Sequence, residues 1–118
     1  TAKKVYGIEL IEEAVVAANQ NAGLNNLDNC EFIAGDVAKL VTSLPEKPDL
    51  IIVDPPRAGI LANGVKDIAE FGAGEIVYVS CNPVVEFESR GYKLDKLKLM
   101  DMFPSGPHCE SVALLIKQ

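Results

Sequence analysis

Glu75-Ile76-Val77-Tyr78-Val79-Ser80-Cys81-Asn82-Pro83 decides how this chain is read. The apolar run 75–79 is too short for a helix and reads as a strand buried on both faces, as in a parallel sheet. The polar turn Ser80-Cys81-Asn82-Pro83 sets a cysteine where that strand ends. A second run, Asp49-Leu50-Ile51-Ile52-Val53, ends in Asp54-Pro55-Pro56-Arg57. In open α/β sheets the ligand crevice lies outside the carboxyl ends of the strands. Two strand ends therefore offer a carboxylate, a guanidinium and a thiol to one crevice.

Working outward, strands and helices alternate. Lys4–Glu9 reads as a strand ending in an acid. Ile11, Ala14, Val15, Ala18 and Ala22 recur at helical spacing, which predicts an amphipathic helix over 10–22. Glu31–Gly35 is a short strand, and Asp36 is placed to cap a helix carrying Val37, Leu40, Val41 and Leu44. A helix over 61–71 buries Val65, Ile68 and Ala69 ahead of the strand at 75–80. Residues 92–102 and 111–117 read as an antiparallel pair. The alternation predicts an α/β fold with a mainly parallel sheet and helices on both faces.

The chain has 118 residues, 48% of them hydrophobic and 24% charged, the size and composition of one globular, soluble domain. No apolar stretch approaches the roughly 20 residues that span a membrane. Cys30, Cys81 and Cys109 are too few and too scattered for a disulfide framework, which fits a reducing cytoplasm. One histidine and no C-x-x-C argue against a zinc or iron–sulfur site. The net charge of −6 argues, taken alone, against nucleic-acid binding.

Acids at successive strand ends have a specific use. A carboxylate there accepts ribose hydroxyls in nucleotide-binding sheets. Glu9 holds that position, and Asp36 follows the next strand. The bland alternative is two solvated loop acids. Gly72-Ala73-Gly74 precedes a strand, so it is no phosphate-binding loop, which must follow one. The chain also begins inside a strand, at Ala2-Lys3-Lys4-Val5, and reads as a fragment lacking a first β–α unit.

Asp54-Pro55-Pro56-Arg57-Ala58-Gly59, then sixteen residues, then Ile76–Pro83, then Asp101-Met102-Phe103-Pro104 with His108 and Glu110, closely resembles the RNA 5-methyluridine methyltransferases. The resemblance runs from Val5-Tyr6-Gly7-Ile8-Glu9 to the last strand. It implies a Rossmann-like S-adenosyl-L-methionine (SAM)-dependent methyltransferase sheet, mostly parallel with an antiparallel C-terminal strand and its first β–α unit missing. The whole of 1–118 is then the C-terminal part of one catalytic domain. The implied activity is methylation of carbon 5 of a uridine in RNA, with ribosomal RNA expected ahead of transfer RNA. By position, Cys81 matches the nucleophile and Glu110 the base that removes the carbon 5 proton. Glu9, Asp36 and Asp54 match positions that line the SAM site, with Asp54 also near the target base. RNA is gripped largely by preceding domains absent from this chain, which reconciles the acidic charge with an RNA substrate; the fragment alone is expected to be inactive.

Bland readings stand beside these. A lone cysteine in a sheet is more often core, and Cys30 and Cys109 are read so. The polar turn sets Cys81 apart. Arg57 serves either a phosphate or a neighbouring carboxylate, His108 orients the loop before Glu110, and Tyr78 packs. After Pro83 the chain is about half a dozen residues shorter than family spacing, nearly two turns at ~3.6 residues each. This reads as residues missing between Pro83 and Phe87 rather than a short helix. Two alternatives remain. A different SAM-dependent base methyltransferase needs no cysteine, and a non-catalytic α/β module needs neither Cys81 nor Glu110.

Overall fold

The computed structural model describes residues 2–56, 59–80, 87–102, 104 and 109–118, with Thr42 described through its backbone alone. Two compact units divide the chain, Thr1–Leu44 and Pro45–Gln118.

In the first unit, strand β1 (Val5–Glu9) pairs in parallel with β2 (Cys30–Ala34), Val5 opposite Cys30 and Glu9 opposite Ala34. Gly7 lies opposite Phe32, and a Cβ there would come within 2.5 Å of the phenyl ring. Helix α1 (Glu12–Leu24) joins the two strands by a crossover, as a parallel pair demands. The helix starts later than the periodicity predicts. Ile11 is the extended N-cap residue, and both it and Ala14 are exposed; Val15, Ala18 and Ala22 form the inward stripe. Helix α2 (Val37–Leu40) is a single turn continued by a 3-10 turn at Val41–Ser43. Leu44 is already extended, because Pro45 follows it and a residue before proline avoids the helical region.

The second unit is a four-stranded sheet in the order β3-β4-β6-β5, formed by β3 (Leu50–Val53), β4 (Glu75–Ser80), β5 (Tyr92–Met100) and β6 (Glu110–Lys117). β3 and β4 are parallel, with Val53 opposite Tyr78. β6 is antiparallel to both β4 and β5, so β6 alone runs against the other three strands. The antiparallel pair expected at the C-terminus is present, with a register shift between Leu94 and Lys96.

Period-two alternation gives this sheet one covered face. Ile76 and Tyr78 of β4 lie opposite Leu115 and Ala113 of β6, and all four are buried. Helix α3 (Ala62–Phe71) adds Val65, Ile68 and Ala69 to the same cluster and stops at Gly72, whose φ of 80° suits a residue without a Cβ. Phe87 closes the cluster edge-on to Tyr78 at 5.8 Å and to Tyr92 at 6.2 Å. The buried Tyr92 hydroxyl donates to Ala73 O at 2.7 Å. The other face differs from the expectation of burial on both sides: Ile52 is 68% and Leu50 43% exposed. Among the described residues α3 and the 87–92 segment both join the Ile76–Tyr78 face, and Ile51 and Val53 pack there too.

Phe87 is 1% exposed, and its replacement by alanine leaves a ring-sized cavity. Phe87→Ala is expected to lower stability by about 3–5 kcal/mol, read as a shift of the urea midpoint. Tyr92→Phe is expected to lose about 1–3 kcal/mol by stranding a buried carbonyl. Burial raises the Tyr92 phenol above its ordinary 10.0. The neutral, donating form is therefore favoured in the fold. Its contribution is full below that value and falls as pH rises through the raised one. Unfolding titrations should show a shallower alkaline loss in Tyr92→Phe.

Candidate active site

Each unit presents its acids where its parallel strands end. In the first, Glu9 is the last residue of β1 and Asp36 stands two residues beyond β2. The Gly35 amide donates to Glu9 O at 2.9 Å, which carries the pairing one step past the strands. Both side chains are exposed and locally held. Glu9 Oε1 accepts from the Ile11 amide at 3.0 Å, and Asp36 Oδ1 accepts from the Ala38 amide at 3.0 Å as the N-cap of α2. The capping role read for Asp36 is thus present. An ionised carboxylate has about four acceptor sites, so one amide bond orients each acid without exhausting it. These are acceptors of the kind that ribose hydroxyls and an adenine amino group require, so the residues fit a nucleoside cofactor.

In the second unit Asp54 follows β3 directly and is exposed. Ser80 ends β4, the parallel neighbour of β3. Glu110, half-buried, begins β6, and because β6 runs the other way its start lies beside the end of β4. The last β4–β6 pair is Ser80 with Ser111. Asp54, Ser80 and Glu110 therefore occupy one edge. Cys81 and the following Asn82 and Pro83, with Arg57 and His108, lie outside the described residues, as do residues 84–86, where the sequence reads as lacking residues.

Two sequence readings need correction. Cys109 is exposed, with its Sγ 3.4 Å from Met100 O, and so is not a core residue; it precedes β6 and is not yet in the strand's alternation. Cys30 is half-buried beside Asn29 Oδ1 at 3.7 Å.

Ser111 is the residue that the sequence reading passed over. Its hydroxyl donates to Ser80 O at 2.7 Å, and the residue is 3% exposed. The signal was available: alternation back from Leu115 and Ala113 puts a serine in the inward register. A shallow, open recess of about 550 Å³ between Lys47–Leu50 and Gly74–Glu75 lies at the opposite end of β3 and β4. It has no part in this edge.

Comparison with known proteins follows the same residues. A family described as tRNA (uracil-5-)-methyltransferase matches residues 45–118. An uncharacterized RNA methyltransferase of Clostridium acetobutylicum is 55% identical over 120 residues, 97% of this chain and 26% of that protein. One from Geobacter sulfurreducens is 42% identical over an alignment of 127 residues, longer than the chain itself, and covers 100% of this chain and 26% of that protein. The chain thus spans about a quarter of the length of the curated relatives it matches. Among solved structures, the Pyrococcus abyssi tRNA (uracil-54, C5)-methyltransferase in complex with S-adenosyl-L-homocysteine superposes with a TM-score of 0.75 at 38% identity, over 96% of this chain and 29% of that one. TrmN from Thermus thermophilus shares the fold at a TM-score of 0.76 and 21% identity, over 98% of this chain and 36% of that one. The fold is the Rossmann-like sheet of SAM-dependent methyltransferases, and SAM is the cofactor of the family. With the match running through Asp54, Ser80-Cys81 and Glu110 over more than half its length, this chain belongs to the tRNA (uracil-5-)-methyltransferase family.

Proposed function

We propose that the protein carrying this chain methylates carbon 5 of a uridine in RNA, with Cys81 as nucleophile and Glu110 as general base. The observation that carries the reading is the end of the β4–β6 ladder. Its last pair is Ser80 with Ser111; in sequence Cys81 follows Ser80, and Glu110, the first residue of β6, precedes Ser111.

The chemistry calls for that neighbourhood. Carbon 5 of uracil is a weak nucleophile. Addition of the Cys81 thiolate to carbon 6 breaks the 5,6 double bond and leaves an enolate whose electron pair resides partly on carbon 5. SAM, when bound, supplies a methyl group on a sulfonium that such a carbon can take. Glu110 then removes the carbon 5 proton, the double bond re-forms and the cysteine leaves as thiolate. A carboxylate fits this role: it accepts the proton and hands it to water afterwards. Glu9 and Asp36 are assigned to the ribose hydroxyls and adenine edge, and Asp54 to the boundary between cofactor and target base. The target base has to leave its stack to reach a pocket of this kind.

Residues 1–118 are read as the C-terminal part of one catalytic domain, with RNA held chiefly by other parts of the protein. A formal charge of −6 suits that division, since phosphate contacts demand lysine and arginine. A cytoplasmic location fits the few scattered cysteines. The expectation of ribosomal RNA gains no support from the family description or from the P. abyssi enzyme's name, both of which specify transfer RNA. The substrate is therefore proposed as a uridine in RNA, and both classes enter the test.

In the whole enzyme, Cys81→Ala should abolish methylation and any covalent RNA complex. Glu110→Gln should still form the complex but release it slowly, so a methylated covalent species accumulates on denaturing gels with labelled RNA. Normal turnover by Glu110→Gln removes glutamate from the base role, and activity in Cys81→Ala ends the nucleophile assignment. Incubation with labelled SAM and separately purified transfer and ribosomal RNA identifies the class. A further outcome concerns the cofactor site. Glu9→Ala should raise the KM for SAM with a smaller change in kcat, since binding is lost in ground and transition states alike. An unchanged KM would return Glu9 to the status of a solvated loop acid.

A further inference from the structure

We infer that Ser111 is a positioning residue for the nucleophile, acting through the carbonyl of Ser80. The inference rests on the reading above that Cys81 adds to the uracil ring.

Ser111 sits in the inward register of β6 with Ala113 and Leu115, which are 1% and 0% exposed. A hydroxyl on an apolar face costs free energy unless it is hydrogen-bonded. Here it donates to Ser80 O at 2.7 Å, directly across the last pair of the ladder. Packing alone would be served by alanine or valine, so the hydroxyl's distinctive contribution is that bond. Its acceptor belongs to the peptide unit that links Ser80 to Cys81. A peptide unit is planar, so holding its oxygen orients the bond that leads into residue 81. Burial strengthens the hold, because little water competes for the same acceptor. Ser111 is also bonded through its own backbone to Glu110. One residue thus joins the strand start that carries the proposed base to the strand end that leads into the proposed nucleophile. β5 braces the arrangement from the other side, with Met100 opposite Glu110 and Leu99 opposite Ser111.

The competing account is that Ser111 only satisfies a buried carbonyl and adds about 1 kcal/mol of stability. The two accounts differ in kinetics. The whole enzyme is mixed at saturating SAM with saturating RNA whose target uridine is 5-fluorouridine. The thiolate adds to carbon 6, carbon 5 takes the sulfonium methyl with release of S-adenosyl-L-homocysteine, and fluorine remains where a proton would be. Glu110 has nothing to remove, the complex stays covalent, and its rate of appearance reports nucleophile placement without the base step.

Ser111→Ala is expected to slow that rate about ten- to a hundredfold, the scale of a displacement of about 1 Å. SAM affinity by calorimetry should stay unchanged, and Ser111→Thr, which restores the hydroxyl, should restore the rate. A wild-type rate in Ser111→Ala overturns the inference. So does a slow rate that threonine leaves slow, since packing is then responsible. If Ser111→Ala fails to fold, judged by lost SAM binding, Ser111→Cys keeps the volume with a weaker donor, and a wild-type rate in that variant overturns the inference equally. Cys81→Ala separates the two levels. If it forms a covalent complex, the nucleophile reading itself is wrong. If it forms none while Ser111→Ala reacts normally, only the role of Ser111 falls.

Discussion

The pairing of β4 with β6 is the constraint on which the second unit depends. It runs from Glu75 opposite Ile116 to Ser80 opposite Ser111 without a register shift. Because side chains alternate with a period of two, this register sends Ile76, Tyr78, Ala113 and Leu115 to one face together. The apolar face of α3 and the ring of Phe87 pack against that layer. A slip by one residue would turn the inward set outward and break the core. The same slip would exchange Glu110 and Ser111 between faces. Burial of the core and placement of the polar edge are therefore one decision, made by the same ladder.

The edge strand shows a second economy. β5 lies at the margin of the sheet and is exposed along most of its length. Lys93, Lys96 and Lys98 line it, and its register shift interrupts the ladder between Leu94 and Lys96. Charged side chains and bulges keep an open edge from pairing with another chain. Tyr92 anchors the strand at its start, through its hydroxyl on Ala73 and its ring against Phe87. The strand is thus held at the end remote from Glu110 by aromatic packing and along its length by β6.

Much of this was legible from sequence where local and tertiary signals agree. The strands at 75–80 and 50–53, the antiparallel C-terminal pair and the cap at Asp36 all follow from short apolar runs and turn chemistry. Failures came where neighbours decide. Ile11 and Ala14 fit the helical spacing, yet α1 begins only at Glu12 and its inward stripe is narrower, set by contact with β1 and β2. The apolar run at 75–79 and the α/β alternation suggested a sheet covered on both faces, yet Leu50 and Ile52 of β3 are exposed, because periodicity reports composition and not what lies above a face. Cys109 looked like core on residue type alone, but it precedes the strand whose alternation would have buried it. Ser111 was missed for the converse reason. Serine is ordinarily read as surface or turn, and only the register of β6 shows that it points inward. Glu9, Asp36 and Asp54 were singled out because acids at strand ends are informative in a parallel sheet, and Glu110 because the segment around it resembles the family.

The direction of β6 brings Glu110 to the edge where β4 ends, far apart as the two are in sequence. In a purely parallel sheet the crevice edge is built only from strand ends and the loops that follow them, and each such residue is carried on a segment leaving the sheet. A reversed strand contributes its start to that edge. Glu110 is the first residue of β6, in register with Met100 on one side and flanked by the Ser80–Ser111 pair on the other. It is a ladder residue, held by backbone pairing, where Asp54 stands on a departing loop. The proposed mechanism asks for that difference. A base that acts after the covalent adduct has formed has to meet a proton whose position is set by the nucleophile, proposed as the residue that follows β4 in sequence. Setting Glu110 at the first residue of β6 fixes it beside the last pair of the β4–β6 ladder, Ser80 with Ser111, independently of the loops around it. Sites built on strands hold geometry more tightly than sites built on loops, and a reversed strand is how this sheet sets an acid on a strand at the edge where β3 and β4 end.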